Sequence, residues 1–595
     1  MKRRHGCFAV PWKNECLRRT FDFHNGIRSK KTPWKPRESL RGGDQMIPKA
    51  FYRKWKLLVN LEEWRMRLLG LPVLPKTETR RGLVLIQIDG LSHPHLQKAM
   101  GKGYMPFLRR LVRREHYGLK PMYSGIPSNT PAFQGEFFFG KPQCVPAFQY
   151  RDRATRKIFT MFDKNSAAEV EKSLLQQNEG LIAGGSAYGN IFSGGAAESH
   201  LCASTADWAN ALKAWNPYSL LISFILNPFA VIWGVLLCLA ESALAVMDFF
   251  LGSIKGQDFF EELRFIFTRV LVSILMRDLV TAHVRMDILR GMPVIHANYF
   301  GYDEQAHRRG PSTRFAYWSL PGIDDAAKKI WHTAMRARRR HYDVWIYSDH
   351  GQEKVLPFSK LAGHPIRQAV WETYDEIYKT EFCTGPECPP HKRGDWGDTV
   401  LGKRRLNGEK KNEDAARPIV TTLGPICQIY FPTPPTGTAA PACGDKDKRI
   451  FAKRLIEKNP VIPLIAIPLA NGEVEYETKT GTYQLPRDAK DFLGPDHPYL
   501  EAVAKDLDFL SRHESRGDFL LFGWSAGMQP ISFSNENGAH AGLGPHETQA
   551  FALLPRDAPL EKMPEGWIKA LDLRQAALIS LGKIKGNRKT RVLHG

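Results

Sequence analysis

The sequence predicts an α/β fold built on a mainly parallel sheet. Three observations point there. Continuous apolar runs such as "GLVLIQIDG" (82–90) and "YDVWIYSDHG" (342–351) have the length and uninterrupted hydrophobicity of strands buried on both faces. Helical stretches such as "HLQKAMGKGYMPFLRRLVRREHYG" (95–118) lie between some of them. Several runs end on an acid or a histidine, as expected where functional side chains sit beyond the C-terminal edge of a parallel sheet.

The elements follow in order. Residues 1–45 are basic and rich in Gly, Pro and Arg, and read as a largely disordered tail. In 46–78, "FYRKWKLLVNLEEWRMRLLGLP" repeats Trp, Leu and Val at helical spacing with Lys and Arg between, an amphipathic basic helix suited to a membrane interface or to the protein's own core. The catalytic domain is expected to begin at 79–200, with strands in "GLVLIQIDG" and "GLIAGGSAYGNIF". It resumes over 286–378 with "MPVIHANYF" and "YDVWIYSDHG". A polar, flexible excursion is expected at 379–416. Over 417–530 a side subdomain and a continuation of the catalytic domain follow, with strand-like "GPICQIYF" and "DFLLFGW" and an "NGE" hairpin turn at Asn471–Glu473. Residues 531–595 hold "AFALLP", the His540 motif and a basic tail.

Between the two parts of the catalytic domain, 201–285 reads as an apolar helical insertion. Its run "SLLISFILNPFAVIWGVLLCLA" (219–240) has no charged residue and is long enough to cross a bilayer. If the strands before and after it share one sheet, the chain must leave and return on the same side. A hairpin or a shallow dip is then required, and Asn227–Pro228 offers a place to bend.

Composition narrows the partners. The 595 residues carry a formal net charge of +23, which favours contact with phosphates or an anionic membrane. No run of basic residues interleaved with aromatics resembles a nucleic-acid module, so no specific nucleic-acid partner is expected, and no protein partner is inferred. A mean hydropathy of -0.34 excludes a polytopic transporter. Nine cysteines, an odd number, include the close pair Cys383 and Cys388 but no second pair to complete a zinc knuckle. They favour a reducing compartment over a disulfide scaffold. The first twenty residues are positively charged without an apolar core, unlike a secretory signal.

Residues of metal-binding type gather at the strand ends: Asp89, then Asp303 and His307 in "GYDEQAH", Asp349 and His350 in "YSDHG", and His540 and His546 in "NGAHAGLGPHETQAF". Carboxylate and neutral imidazole form the ligand set of zinc, or of manganese where carboxylates dominate. The i, i+4 spacing of Asp303 and His307 puts both on one face if a helix starts there. Thr130, in "SGIPSNTPAFQGEFFFG", precedes an expected helix whose first turn Pro131 suits. A hydroxyl there faces the amide end of the helix, where phosphate binds, and a metal ion would make it a nucleophile. A simple cap by Ser128, Asn129 or Thr130 is the alternative.

Taken in order, "LIQIDGL", "PSNTPAFQG", "YFGYDEQAHRRGP", "YSDHGQ" and "GAHAGLGPHETQAFALLP" resemble the alkaline phosphatase superfamily, in particular its nucleotide pyrophosphatase/phosphodiesterase-like branch. The resemblance spans Leu85 to Pro555. It implies a three-layer sandwich and a site for two divalent metal ions, zinc or manganese. Asp89, Thr130, Asp349 and His350 would hold one ion, and Asp303, His307 and His540 the other. Thr130 would attack phosphorus, and water would release the phospho-threonine. Two departures stand out. Ala541 replaces the usual Gly after the ligand His, and the Asn that often contacts phosphate has no match near "VPAFQYRDR" (145–153). The second weakens nucleotides as substrate, and His546 has no family role.

The function expected is a membrane-associated, metal-dependent hydrolase of phosphate esters, with lipids and nucleotides as candidate substrates. It would sit on a bacterial-type inner membrane with its catalytic domain in the cytoplasm. Two alternatives stay open: phosphoglycerol- or phosphoethanolamine-type transfer to lipid or glycan, and a non-catalytic membrane scaffold with a vestigial site.

Overall fold

The computed structural model describes residues 81–206, 271–378, 417–432, 444–561 and 565–585, with isolated helical positions between 236 and 263. Outside these lie the basic tail, the 51–72 helix, almost all of the 219–240 apolar run, the 379–416 excursion and the Cys383/Cys388 pair.

Seven strands form the central sheet: β1 (Gly82–Ile88), β2 (Tyr117–Tyr123), β3 (Ser186–Tyr188), β4 (Glu198–His200), β5 (Val294–Tyr299), β6 (Tyr342–Tyr347) and a late strand, Gln549–Pro555. Their order is β2, Gln549–Pro555, β6, β1, β5, β3, β4. From β6 to β4 all pairings are parallel, with Leu85 of β1 level with His296 of β5 and Trp345 of β6. Gln549–Pro555 runs antiparallel between β2 and β6. All seven residues of β1 are buried. Leu83 and Leu85 enter one core, while Val84, Ile86 and Ile88 enter another on the opposite face. This two-sided burial explains why the run is continuously apolar instead of alternating.

Helices cover both faces. On one side lie α1 (His93–Gly101), α2 (Pro106–Arg114), α4 (Arg277–Arg290) and α6 (Leu320–Ala334); on the other lies α3 (Thr130–Phe139), with a last helix, Ala570–Ser580, packed beside it. Between α4 and α6, the helix α5 (Gly301–Arg309) follows β5 directly. The long helix expected over 95–118 is thus two helices and the start of a strand. Gly101 and Gly103 weaken it, and Pro106, which cannot donate to the preceding turn, opens α2. Met105 offers α2 no side-chain cap. Asp324 of α6 supplies one instead, accepting from the amides of Phe107 at 2.8 Å and Leu108 at 2.9 Å.

The runs "GPICQIYF" and "DFLLFGW" do not join the parallel sheet. With the 464–483 segment they form a second, antiparallel six-stranded sheet: β7 (Ile419–Leu423), β8 (Ile426–Tyr430), β9 (Leu464–Pro468), β10 (Val474–Thr478), β11 (Gly481–Tyr483) and β12 (Phe519–Phe522), in the order β7, β8, β12, β9, β10, β11. The hairpin expected at Asn471–Glu473 is there, with Pro468 paired to Val474. Leu464, Ala466, Leu520 and Phe522 face the core shared with α3; Ile465, Ile467, Phe519 and Leu521 face a third core.

The strands flanking the 201–285 segment do share one sheet, since β3 pairs directly with β5. Its chain leaves after β4 and returns through α4. Arg290 of α4 ties the two ends, at 2.8 Å from Glu198 of β4 and 2.8 Å from Asp287. Among the described residues no helix is long and apolar enough to cross a membrane.

Removing the Asp324 carboxylate orphans two buried amides at the start of α2. Asp324→Ala is expected to lower unfolding stability by about 1–3 kcal/mol. Urea denaturation checks this as a lower midpoint at an unchanged slope.

Candidate metal centre

Three adjacent parallel strands deliver their C-terminal ends to one edge of the sheet. Asp89 follows β1; Asp303 and His307 lie on α5 after β5; Asp349 and His350 follow β6. Gly90, directly after Asp89, has φ +69°, and a Cβ on it would lie 2.3 Å from Asp303 Oδ1. The "DG" turn therefore lets two acids approach that any other residue would separate.

Two further groups arrive from other elements. Thr130 opens α3 as its first residue, and Asn129 is the cap, its Oδ1 accepting from Ala132 N at 2.9 Å. Of the three possible caps, Asn129 takes that role, which leaves the Thr130 hydroxyl available; Oγ1 lies 3.2 Å from His350 Nε2. His540 comes from the loop before the last sheet strand. Ser128 stitches that loop to the start of α3: its carbonyl accepts from His540 Nδ1 at 3.1 Å, and its hydroxyl donates to Gly542 O at 3.0 Å and accepts from Ala541 N at 3.2 Å. Glu547 holds the far side of the loop, accepting from the amides of Gly542 and Gly544 at 2.8 and 2.7 Å.

The residues form two clusters, Asp89–Asp349–His350 and Asp303–His307–His540, each with ligand atoms within 4.8 Å of one another. His350 Nε2 is 3.4 Å from both Asp89 Oδ1 and Asp349 Oδ2. His307 Nε2 is 3.2 Å from Asp303 Oδ2, and His540 Nε2 is 3.9 Å from Asp303 Oδ1. The rings of His350 and His540 stack at 3.7 Å, so the clusters are neighbours. His546 joins neither; it is exposed and stacks on His95 at 5.8 Å. Arg309, next to the cluster in sequence, lies over the Phe315 ring.

The donor set fits divalent cations on two counts. Among the described residues neither oxygen of Asp349, nor Oδ1 of Asp89, accepts a well-formed hydrogen bond, although both residues are buried and Thr130 and His350 lie beside them. A buried, unpaired carboxylate is costly unless a cation meets it. In keeping with that cost, burial pushes both carboxyls up, with Asp349 adding to the rise at Asp89 and Asp303 to that at Asp349. The second count is tautomeric. Each Nδ1 faces an acceptor: Gly351 O for His350, Gly538 O and Glu536 for His307, Ser128 O for His540. Each Nδ1 thus has an acceptor for its proton, which leaves Nε2, the atom turned toward the carboxylates, as the one that would meet a cation. Burial opposes charge on His307, but Asp303 and Glu536 hold its imidazole well above the usual range, so a cation would displace a proton there. Burial and the neighbouring His350 keep His540 well below that range.

Several supporting residues were missed in the sequence. Asn298, one residue from the end of β5, donates to Asp89 Oδ2 at 2.7 Å. Gln352 donates to the carbonyl of Asp303 at 3.1 Å and to its carboxylate. Glu536 meets His307 Nδ1 at 2.8 Å. Only Gln352, beside "SDHG", carried a positional signal. Where the expected Asn is lacking, Phe148 sits edge-on to His540 at 5.9 Å and stacks on Phe162 at 4.9 Å.

No protein-family model matches the sequence, and no curated protein matches it. Among solved structures, the chain is similar to phosphonoacetate hydrolase from Sinorhizobium meliloti 1021, in its complexes with phosphonoformate and with phosphonoacetate. In both cases 12% of residues are identical, 86% of this chain and 100% of that chain are covered, and the TM-score is 0.42. At that level the site stands on its own geometry.

Ala541, the departure from Gly noted in the sequence, has φ +95°. An L side chain in that region costs about 1–3 kcal/mol, more than the roughly 0.5–1 kcal/mol of added chain entropy that glycine brings. Ala541→Gly is expected to stabilise the fold by about 1 kcal/mol with metal content unchanged. A thermal melt showing a lower midpoint would refute the strain.

Proposed function

We propose that the chain is a membrane-associated, metal-dependent hydrolase of phosphate esters of the phosphodiesterase or phosphatase type. Its fold and site would then be those of the alkaline phosphatase superfamily, with Thr130 as nucleophile. One observation carries the chemistry: three imidazole Nε2 atoms and buried carboxylate oxygens without a well-formed hydrogen bond converge in two neighbouring clusters beside a hydroxyl at a helix N-terminus.

Asp89, Asp349 and His350, with Thr130, would hold one ion, and Asp303, His307 and His540 the other; imidazole with carboxylate suits zinc first and manganese second. Two such cations would acidify the threonine hydroxyl and a water molecule and offset the charge on phosphate oxygens. Thr130 Oγ1 attacks phosphorus, the bond to the leaving alcohol breaks, and the alcohol departs with a proton. Water then attacks the same phosphorus, the bond to Thr130 Oγ1 breaks, and the phosphate product leaves as the hydroxyl regains its proton. The amide end of α3 faces negative charge gathering at Thr130. Stacked Phe148 and Phe162 put an aromatic, apolar surface beside His540, which suits an ester carrying an apolar or aromatic group.

Thr130→Ala is expected to cut turnover of an aryl phosphodiester or monoester by roughly a thousandfold or more while metal content stays near wild type. Assays with zinc or manganese, run beside metal analysis, test this. Full activity in the variant would remove Thr130 from the chemistry.

Membrane attachment through 201–285 belongs to the same proposal. The segment leaves and re-enters one sheet, and Leu236, Leu239, Val246, Leu263 and Leu275 stand exposed. Apolar burial contributes roughly 25 cal/mol per Å², and Lys or Arg near anionic headgroups adds about 1 kcal/mol each. The excess of Lys and Arg favours a cytoplasmic catalytic domain. The protein is expected to sediment with membranes and resist high salt, and a chain lacking 215–255 to become salt-extractable. Release of the full chain by salt would exclude insertion, and cleavage by protease added outside intact cells would reverse the sidedness.

A further inference from the structure

We infer that Glu536 is the positioning residue of the Asp303–His307–His540 cluster: its carboxylate fixes the tautomer and direction of His307 and so sets the cation affinity of that cluster alone. The inference rests on reading the clusters as metal sites.

Glu536 is 14% exposed on its side chain, and its Oε2 lies 2.8 Å from His307 Nδ1. Gly538 O lies 2.9 Å from the same nitrogen. With two acceptors at Nδ1, the ring holds its proton there and presents Nε2 to Asp303. Glu536 is itself fixed, because Ser532 Oγ donates to its Oε1.

The segment Ser534–Gly538 is built onto the last turn of α5. Carbonyls at a helix C-terminus lack partners within the helix. Asn537 supplies them, donating from its backbone amide to His307 O at 2.8 Å and from Nδ2 to Arg308 O at 2.8 Å. Gly538 passes so close that a Cβ would lie 2.3 Å from Ala306 O. Two residues later the same chain supplies His540. One loop thus delivers a ligand and aligns a second ligand on a different element.

Among the described residues no carboxylate stands behind the Nδ1 of the other two imidazoles. His350 Nδ1 meets the backbone carbonyl of Gly351, and His540 Nδ1 that of Ser128. A carboxylate behind an imidazole raises its basicity and holds its direction more firmly than a neutral carbonyl, and loss of such a partner typically weakens metal binding 10–100-fold. The two cation sites are therefore unequal, with the anionic support at one of them.

The test uses purified full-length protein, Glu536→Gln and Ser532→Ala, titrated with Zn²⁺ against a chromophoric chelator, with ¹⁵N imidazole spectra of the Zn²⁺-loaded forms. Gln keeps the shape of Glu, removes the charge and exchanges one acceptor oxygen for an NH₂ donor. The expected result is an affinity about 10–100-fold weaker for one ion and unchanged for the other, with a smaller loss at the same ion in Ser532→Ala. In the spectra, the His307 Nδ1–H signal should move on loss of its carboxylate acceptor, while those of His350 and His540 stay in place. Equal affinities for both ions in wild type and Glu536→Gln, with an unchanged His307 spectrum, would overturn the role of Glu536 and leave the metal-site reading standing. Parallel loss of both ions would also overturn it. A wild-type protein that binds no divalent cation would remove the metal-site reading and this inference with it.

Discussion

Three carboxylates, Asp89, Asp303 and Asp349, are pressed together at one edge of the central sheet, and their mutual repulsion is the constraint the rest of the structure answers. Alone, each would relax toward solvent. Here Asp349 is fully buried and Asp89 nearly so. Holding them there takes fixed backbone on every side. The parallel pairing of β1 with β5 and β6 sets their spacing. Gly90 removes the side chain that would keep Asp303 away, and Asn298 and Gln352 each bind one acid. Such an arrangement is stable when positive charge completes it, which ties the fold of this edge to the chemistry of its site.

The division of labour among elements follows. Adjacent strands can supply acids and histidines at one edge because their C-terminal ends coincide. They cannot supply groups from above. Thr130, at the start of α3, and His540, on a loop, lie more than 400 residues apart in sequence, and Ser128 joins the two segments through three hydrogen bonds. Moving either segment would therefore disturb both the hydroxyl and the imidazole. The strained backbone at Ala541 lies at this junction.

The sequence was legible where a local pattern and a chemical role coincide. A buried strand reads as an apolar run, and an acid at its end interrupts it visibly, so Asp89, Asp303 and Asp349 stood out. Asp303 and His307 were legible as a pair because helical periodicity is local. The edge strand β2 was not: Gly118, Lys120 and Pro121 break the apolar pattern, and an edge position tolerates them. The runs at β8 and β12 were legible as strands but not as members of a separate antiparallel sheet, since composition does not encode partners. Asn298, Glu536 and Ser128 act through contacts across the fold, and polar residues of their kind are as common on surfaces as in sites.

The insertion between β4 and α4 is tied to the sheet at its base by buried ion pairs. Arg290, 4% exposed on its side chain, pairs with Glu198 before the segment and with Asp287 after it, and Tyr188 of β3 donates to Asp287 at 2.6 Å. These bonds close the base of the segment on β3, β4 and α4. The site lies at the ends of β1, β5 and β6, so β5 is the one strand bordering both. On its return the chain also touches the end of β5, where Thr281 Oγ1 meets the Tyr299 hydroxyl at 2.9 Å. Whatever reaches the site from there must pass through β5 and α5, where Asp303 and His307 are held by Gln352, Glu536 and Asn537 from the opposite side.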